Sequence, residues 1–429
     1  MSYATLNLRS RLPLLWLALL LPAALLLPAP IWKVLLIGVG GVLLVSWAWA
    51  RLLADGLRGE RRLRFGWVSV GDRLSEQFLI ANRSPLPALW VEVVDESNVP
   101  GYDVGVVRSV ASGGVVRWRR DAVCQQRGHF RLGPWALRTA DPFGLFEVEV
   151  RLSETEEVII HPPIDSALPI PLPAGQSSGR TRAQERSWQA TLNAAGVRDY
   201  RPGDAVRLIH WRTSARRDDL YVREFDLDAA GDIWLLLDAR AGVHLGSGPE
   251  GSEEKGVLLA ASLAGRALLE NRAIGLAAYG QTPQVIPPAR GAGQQWRLLR
   301  ALALLDADGD VGLARAIEEL ARVARRGSAV VVITPSENAV WLPALLELAR
   351  VGLRATVLLL DRASFGEDEA TAAGGSRGLQ QAIRRLGFAC YLIRQEDIDL
   401  HDKPEERRGF WEFRTLATGK VVVVKRPGE

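Results

Sequence analysis

Cysteine is nearly absent from this 429-residue chain. Cys124 and Cys390 stand far apart, which excludes a disulfide framework and gives no metal-site spacing. A single-sign charge excess is also missing. The 53 Lys and Arg are nearly matched by 49 Asp and Glu, for a net charge of +4, so the overall balance demands no nucleic acid. The glycine-rich run from Gly242 to Gly256 lacks a Gly-Lys-Ser/Thr ending, because Gly256 and Val257 follow Lys255. It therefore reads as a mobile loop and not as a phosphate cradle. No Gly-x-Ser-x-Gly nucleophile turn occurs, and no internal repeat stands out. The length allows two or three domains, and the 48% hydrophobic content is ample for their cores.

Two long apolar runs open the chain. Leu12 to Leu27 and Ile31 to Ala50 each approach the roughly 20 residues of a spanning helix. Pro28-Ala29-Pro30 turns between them. A signal peptide is the competing reading of the first run, but a second run follows at once without a clear cleavage site. Residues 1–58 are thus expected to form a transmembrane helical hairpin. Arg9 and Arg11 precede it and Arg51, Arg58, Arg61, Arg62 and Arg64 follow, which places both ends in the cytoplasm. The expected location is the cytoplasmic membrane, crossed twice, with the hairpin in contact with lipid and the soluble domains in the cytoplasm.

Residues 64–163 carry short alternating runs between Gly, Pro, Asn and Asp turns, the pattern of a β-sandwich-like domain. Asp141-Pro142-Phe143-Gly144 reads as a structural corner, with Phe143 and Phe146 tucked against a sheet. Residues 164–195 are rich in Pro, Gly and Ser and read as a linker, either flexible or strapped along a surface.

The densest stretch is residues 196–226, which mixes arginines with acids and large aromatics. Arg201-Pro202-Gly203 reads as a turn and Asp204 as the cap of a short helix. In that helix Arg207, His210, Trp211 and Ser214 would share one face. Arg212, Arg216 and Arg217 add charge, and Leu220 to Phe225 reads as a strand.

The wording of this stretch, from Tyr200-Arg-Pro-Gly-Asp through Ile209-His-Trp-Arg to Asp226, resembles the central motif of the domain-of-unknown-function 58 family. The run from Arg127 to Glu149 resembles that family's second hallmark. The resemblance implies a membrane-anchored protein with a von Willebrand factor A-like domain, associated with MoxR-type AAA+ ATPases.

Residues 232–394 alternate strand and helix, as in a doubly wound α/β sheet, and resemble a von Willebrand factor A-like domain. The adhesion motif of such domains is Asp-x-Ser-x-Ser, whose oxygens suit magnesium. This chain keeps Asp238 but continues Ala239, Arg240, Ala241, Gly242. Both hydroxyls are gone, and Arg240 is placed to repel a cation or pair with Asp238. The expectation is no metal and no cofactor, with Asp238 the only retained motif position. Residues 395–429 form a C-terminal tail.

The functional expectation is an interaction or scaffold protein. Arg201, Asp204, Arg207, His210, Trp211, Arg212, Arg216 and Arg217 would dock a MoxR-type ATPase or an envelope partner, or else lock the motif onto its own A-like domain. Nucleic-acid or anionic-lipid binding through the arginines is an alternative, disfavoured for nucleic acid by the interspersed acids. A hydrolase built on Asp204, His210 and Ser214 is another, and the expectation is that the chain is not an enzyme.

Overall fold

The computed structural model describes residues 2–63, 67–165, 168–173, 194–200, 209–217, 219–225, 231–366, 375–398, 412–415 and 421–425. Its elements run as follows in the N-terminal part: β1 (Ser2–Leu8), α1 (Leu12–Leu26), α2 (Ile31–Gly56), β2 (Leu57–Leu63), β3 (Val68–Ser69), β4 (Arg73–Asn82), β5 (Ala88–Asp95), β6 (Val106–Val110), β7 (Val115–Val123), β8 (Gly128–Leu132), β9 (Trp135–Ala140), β10 (Phe146–Leu152) and β11 (Glu156–His161). The central stretch gives β12 (Ala194–Asp199), α3 (Trp211–Arg217) and β13 (Tyr221–Phe225). Then come β14 (Ile233–Leu237), α4 (Ser252–Leu269), β15 (Ile274–Tyr279), β16 (Pro283–Ala289), α5 (Ala292–Ala303), α6 (Leu313–Val323), β17 (Ala329–Thr334), α7 (Leu342–Arg350), β18 (Arg354–Leu360), α8 (Gly375–Arg385) and β19 (Ala389–Ile393), with β20 (Glu412–Thr415) and β21 (Val421–Lys425) in the tail.

Of the two apolar runs, α2 is long and apolar enough to cross a membrane. The other, α1, is a shorter apolar helix, about 22 Å at 1.5 Å per residue. Neither is a core helix along its length: Leu15, Leu19, Leu25, Ile37 and Leu44 are all exposed. A helix that is apolar all round and uncovered needs an apolar surrounding. The final turns of α2 differ, because Ala50, Leu53 and Ala54 are buried in the core of the β domain.

The β domain begins earlier than residue 64. Strand β1 pairs antiparallel with β10, Leu8 facing Phe146, and β2 follows α2 directly and pairs with β4. The helix pair therefore leaves and re-enters one domain. Two principal sheets, in the orders β1-β10-β9-β5-β6 and β2-β4-β7, enclose its main core, and β3-β11-β8 adds a third. Trp135 is fully buried there, edge-on to Phe78, which stacks on Trp118. Arg61 is buried beside them and donates to Glu76 and Asp95, each at 2.8 Å. Burial pushes the Glu76 carboxyl up, against the pull of Arg61.

Segment 163–173 is not a free connector where it is described. Leu168 and Ile170 are buried in the core of the next domain. Arg266 of α4 donates to both of their carbonyls, and the Ser262 hydroxyl accepts from the Asp165 amide. Apolar residues between the prolines turn this part of the connector into a strap, and residues 174–193 of the expected linker lie outside the described ones.

The last domain is a six-stranded sheet in the order β16-β15-β14-β17-β18-β19. All pairings are parallel except β15 with β16. Numbered within the domain, this is the order 3-2-1-4-5-6 of doubly wound folds. The near-continuous apolar strands β14, β15 and β17 are buried on both faces, as a parallel sheet under two helix layers requires. Ligand-facing loops in such a sheet lie at the carboxyl ends of the strands, where the order reverses between β14 and β17.

Candidate functional site

The central motif forms a small unit in which β12 pairs antiparallel with β13, and α3 lies between them in sequence. The expected helix start at Asp204 lies outside the described residues, and the described helix is α3. It starts at Trp211, and His210 stands just before it. The imidazole Nδ1 accepts from the Thr213 amide at 3.3 Å and meets the Thr213 hydroxyl at 2.7 Å. His210 therefore acts as the helix cap. Its own amide donates to the Tyr221 carbonyl at 2.7 Å, which ties the helix start to β13.

Ser214 is buried and does not face the imidazole. Its hydroxyl donates to the His210 carbonyl at 3.2 Å and accepts from the Tyr221 amide at 2.9 Å. The shared face expected for His210, Trp211 and Ser214 is thus not formed, because the helix begins one residue after His210. Ile209 and Val222 are buried and bridge to each other as the unit's apolar anchor.

Trp211 points outward and is 63% exposed, so it does not lock the motif onto a neighbouring domain. Arg212, Arg216 and Arg217 are exposed beside it. The Arg217 guanidinium lies 5.5 Å from the Tyr221 ring centroid. Arg201, Asp204 and Arg207 lie outside the described residues.

The second candidate place is the carboxyl edge of the large sheet. Asp238, at the end of β14, is buried, and both its oxygens are taken. Thr334 Oγ1 donates to Oδ2 at 2.6 Å, and the Arg240 amide donates to Oδ1 at 3.2 Å. Burial pushes the Asp238 carboxyl up, opposed by the Thr334 bond. The Arg240 side chain is exposed. Arg240 meets this carboxylate through its backbone. The loop 239–241 is zipped to residue 309: Ala241 donates to the Gly309 carbonyl, and Gly309 donates to that of Ala239. A Cβ at 309 would stand 2.1 Å from the Tyr279 carbonyl oxygen, so only glycine allows this approach.

A magnesium site of the A-domain kind needs several free oxygens around an open position. The residues here do not fit one. The Asp238 carboxylate is buried and engaged, positions 240 and 242 carry no hydroxyl, and an arginine stands beside it. Among the described residues, no three His, Cys, Asp or Glu cluster as metal ligands.

The loop from Gly242 to Gly256, expected to be mobile, is tied at several points. His244 bridges the Asp238 carbonyl and the Ser252 hydroxyl. Arg362 donates to the Val243 carbonyl at 2.7 Å. Lys255 is buried, with its ammonium on Glu250 and the Ile398 carbonyl. His244 and Arg362 carry no motif spacing, which is why the sequence did not single them out.

The hallmark from Arg127 to Glu149 has two structural jobs. Asp141 spends its carboxylate inside the corner, accepting from the amides of Phe143 and Phe146 at 2.9 and 2.6 Å. Phe146 packs against the core, but Phe143 is 58% exposed instead of tucked in, because the tight corner turns it outward. Arg127 joins the two large domains. It donates to the Leu302 and Leu305 carbonyls at the end of α5, and pairs with Glu253 and Glu254 in the first turn of α4. Beside it, His161 stacks on Trp67 at 3.9 Å, and Trp67 meets Trp296 of α5.

Residues 196–364 match the family described as "Protein of unknown function DUF58". "Uncharacterized protein YeaD" of Bacillus subtilis is 25% identical over 312 residues, which cover 70% of this chain and 75% of that protein. "Uncharacterized protein Rv1480" of Mycobacterium tuberculosis is 32% identical over 143 residues, 32% of this chain, and the match spans 44% of its length. A solved structure, "von Willebrand factor type A from Catenulispora acidiphila", aligns over 41% of each chain at 12% identity with a TM-score of 0.26. That likeness is too slight to support an argument.

Proposed function

Because the chain carries the DUF58 region across residues 196–364, we propose that it is a membrane-anchored interaction protein whose central motif docks a AAA+ ATPase of the MoxR type. The observation that carries this reading is Trp211. A tryptophan 63% exposed, on a helix fixed by His210 and Ser214 and flanked by Arg212, Arg216 and Arg217, has no role in the chain's own core. Tryptophan and arginine are the residues over-represented among binding hot spots. The rigid cap matters because a preorganised anchor loses little freedom on binding.

The helices α1 and α2 serve as the anchor, a hairpin that crosses the cytoplasmic membrane twice. Two features support both ends lying on one side. The arginines cluster before α1 and after α2, and β1 and β2 join the same domain. The doubly wound, A-like sheet is the scaffold. Its carboxyl edge, with Asp238 engaged by Thr334, offers a metal-independent surface.

The test is capture of a MoxR-type ATPase by the detergent-solubilised full chain, with magnesium and with chelator, for the parent, Trp211→Ala and Arg207→Glu. The reading expects capture that survives the chelator and is lost in Trp211→Ala while that variant stays folded. A control without nucleotide separates the ATPase's own magnesium. Equal capture by parent and Trp211→Ala removes the motif from the interface, and no capture under any condition removes the ATPase as partner.

A further inference from the structure

The end of the β domain from which the helices emerge is built by three turns. The corner 141–145 lies against the chain entering α1, since the Arg9 amide donates to the Leu145 carbonyl at 2.9 Å. The turn 82–87 lies against the chain leaving α2. Arg83 donates to the Gly56 carbonyl at 2.9 Å, and a Cβ on Gly56 would stand 2.5 Å from the Ser84 amide. The turn 111–114 locks onto the second, through Ser112 to the Ser84 carbonyl and Asn82 to that of Gly114. All three turns therefore sit at the root of the helix pair, at the level where α1 and α2 pass from apolar to charged residues.

What these turns present outward is specific. Asp141 is buried, its carboxylate held by two backbone amides, so the corner projects Phe143, 58% exposed. Asn82 and Ser84 likewise spend their polar atoms on the turn, leaving Arg83 exposed. Arg9 and Arg11 are exposed on the other side. An exposed aromatic with exposed arginines on the neighbouring segments, at the foot of an apolar helix pair, matches the bilayer interface, where aromatic side chains settle among headgroups and arginines meet lipid phosphates.

We propose that this end of the β domain is itself a lipid-binding face: Phe143 inserts into the headgroup layer, and Arg9, Arg11 and Arg83 engage the phosphates of anionic phospholipids. The inference rests on the reading of α1 and α2 as the membrane anchor. It makes the domain a platform seated flat on the membrane, and not a body swinging on a tether.

The test places a bimane label on single introduced cysteines in the full chain, in nanodiscs of phosphatidylcholine and phosphatidylglycerol. Cys124 and Cys390 are buried and stay unlabelled in the folded protein. The positions are Phe143→Cys, where the ring of the label replaces the aromatic, Ile37→Cys in α2, and Val340→Cys, exposed in the distant α/β domain. Each is measured with plain and with chain-brominated lipid, a quencher of buried probes. The expected result is at least twofold quenching at 37 and 143 and none at 340. Replacing phosphatidylglycerol by phosphatidylcholine, or introducing Arg83→Glu, should reduce the quenching at 143 and leave that at 37 unchanged. Quenching at 37 without quenching at 143 overturns the lipid-face inference alone. Absence of quenching at both 37 and 143 overturns the membrane anchor on which it rests. Quenching at 143 indifferent to phosphatidylglycerol and to Arg83→Glu overturns the arginine–phosphate part.

Discussion

Arg127→Met should loosen the junction between the β domain and the doubly wound domain more than any surface change. The guanidinium is almost fully buried and has four partners: the carbonyls of Leu302 and Leu305, and the carboxylates of Glu253 and Glu254. Methionine keeps much of the volume and removes the charge. Glu254 is then left partly buried without its cation, in a place where burial already pushes its carboxyl up. Removing one member of a buried ion pair costs about 3–5 kcal/mol. The two carbonyls lose a charged donor at the end of α5, where a cation also complements the helix dipole. The assay is hydrogen exchange of the full chain in detergent, followed at the amides of β11 and α5, which meet across this junction. A loss of about 3 kcal/mol raises exchange through junction opening roughly 100-fold, at 1.36 kcal/mol per tenfold. Adding Glu254→Gln should restore part of the protection, because the orphaned charge is removed. Acceleration of less than about threefold in Arg127→Met would refute the junction as an energetic clamp.

Acid should weaken the same junction through His161. Burial and the nearby Arg300 lower its pKa to about 4, against a hydrogen bond to the Leu299 backbone, from an ordinary 6.5. The unfolded state then binds the extra proton between these values, so stability is full above pH 6.5, falls as pH drops toward 4, and levels off below. The total is about 3 kcal/mol; unfolding titrations should show this fall in the parent and a flatter profile in His161→Phe. Trp135→Ala opens a cavity beneath Phe78 and should cost about 3–5 kcal/mol in denaturant unfolding of the β domain; a cost under 1 kcal/mol contradicts its place at the core centre. Thr334→Val leaves the buried Asp238 Oδ2 without its donor and should lower the stability of the last domain by about 1–3 kcal/mol, read as a drop in the melting midpoint, while Ser336→Ala, whose described bond here is backbone-borne, should leave it nearly unchanged.

The parts of the fold that were legible are those where burial writes a continuous signal. Ile233–Leu237, Ile274–Tyr279 and Ala329–Thr334 are apolar throughout because both faces of the sheet are covered. Strand β1 hid because its alternating Ser2–Leu8 pattern sits before a basic pair that reads as a leader. Strand β16 hid behind Pro283, Pro287 and Pro288, which an antiparallel edge tolerates and a central strand does not. The strap looked like a linker because Leu168 and Ile170 are single apolar residues among prolines, and only the α4 surface gives them meaning. In the site, Trp211 was visible but its direction was not, since three-residue helical spacing says nothing about where a helix begins. His210 as a cap, and Arg127 as a clamp reaching Leu302 and Leu305, depend on contacts too distant in sequence for any motif.

The most direct measurement of the central claim is the affinity of the nanodisc-embedded full chain for a MoxR-type ATPase, compared between the parent and Trp211→Ala. The account predicts saturable binding that weakens by about 30-fold or more on loss of the indole, the effect of a hot-spot side chain worth at least about 2 kcal/mol. Equal affinity for both proteins, with Trp211→Ala folded, would contradict it.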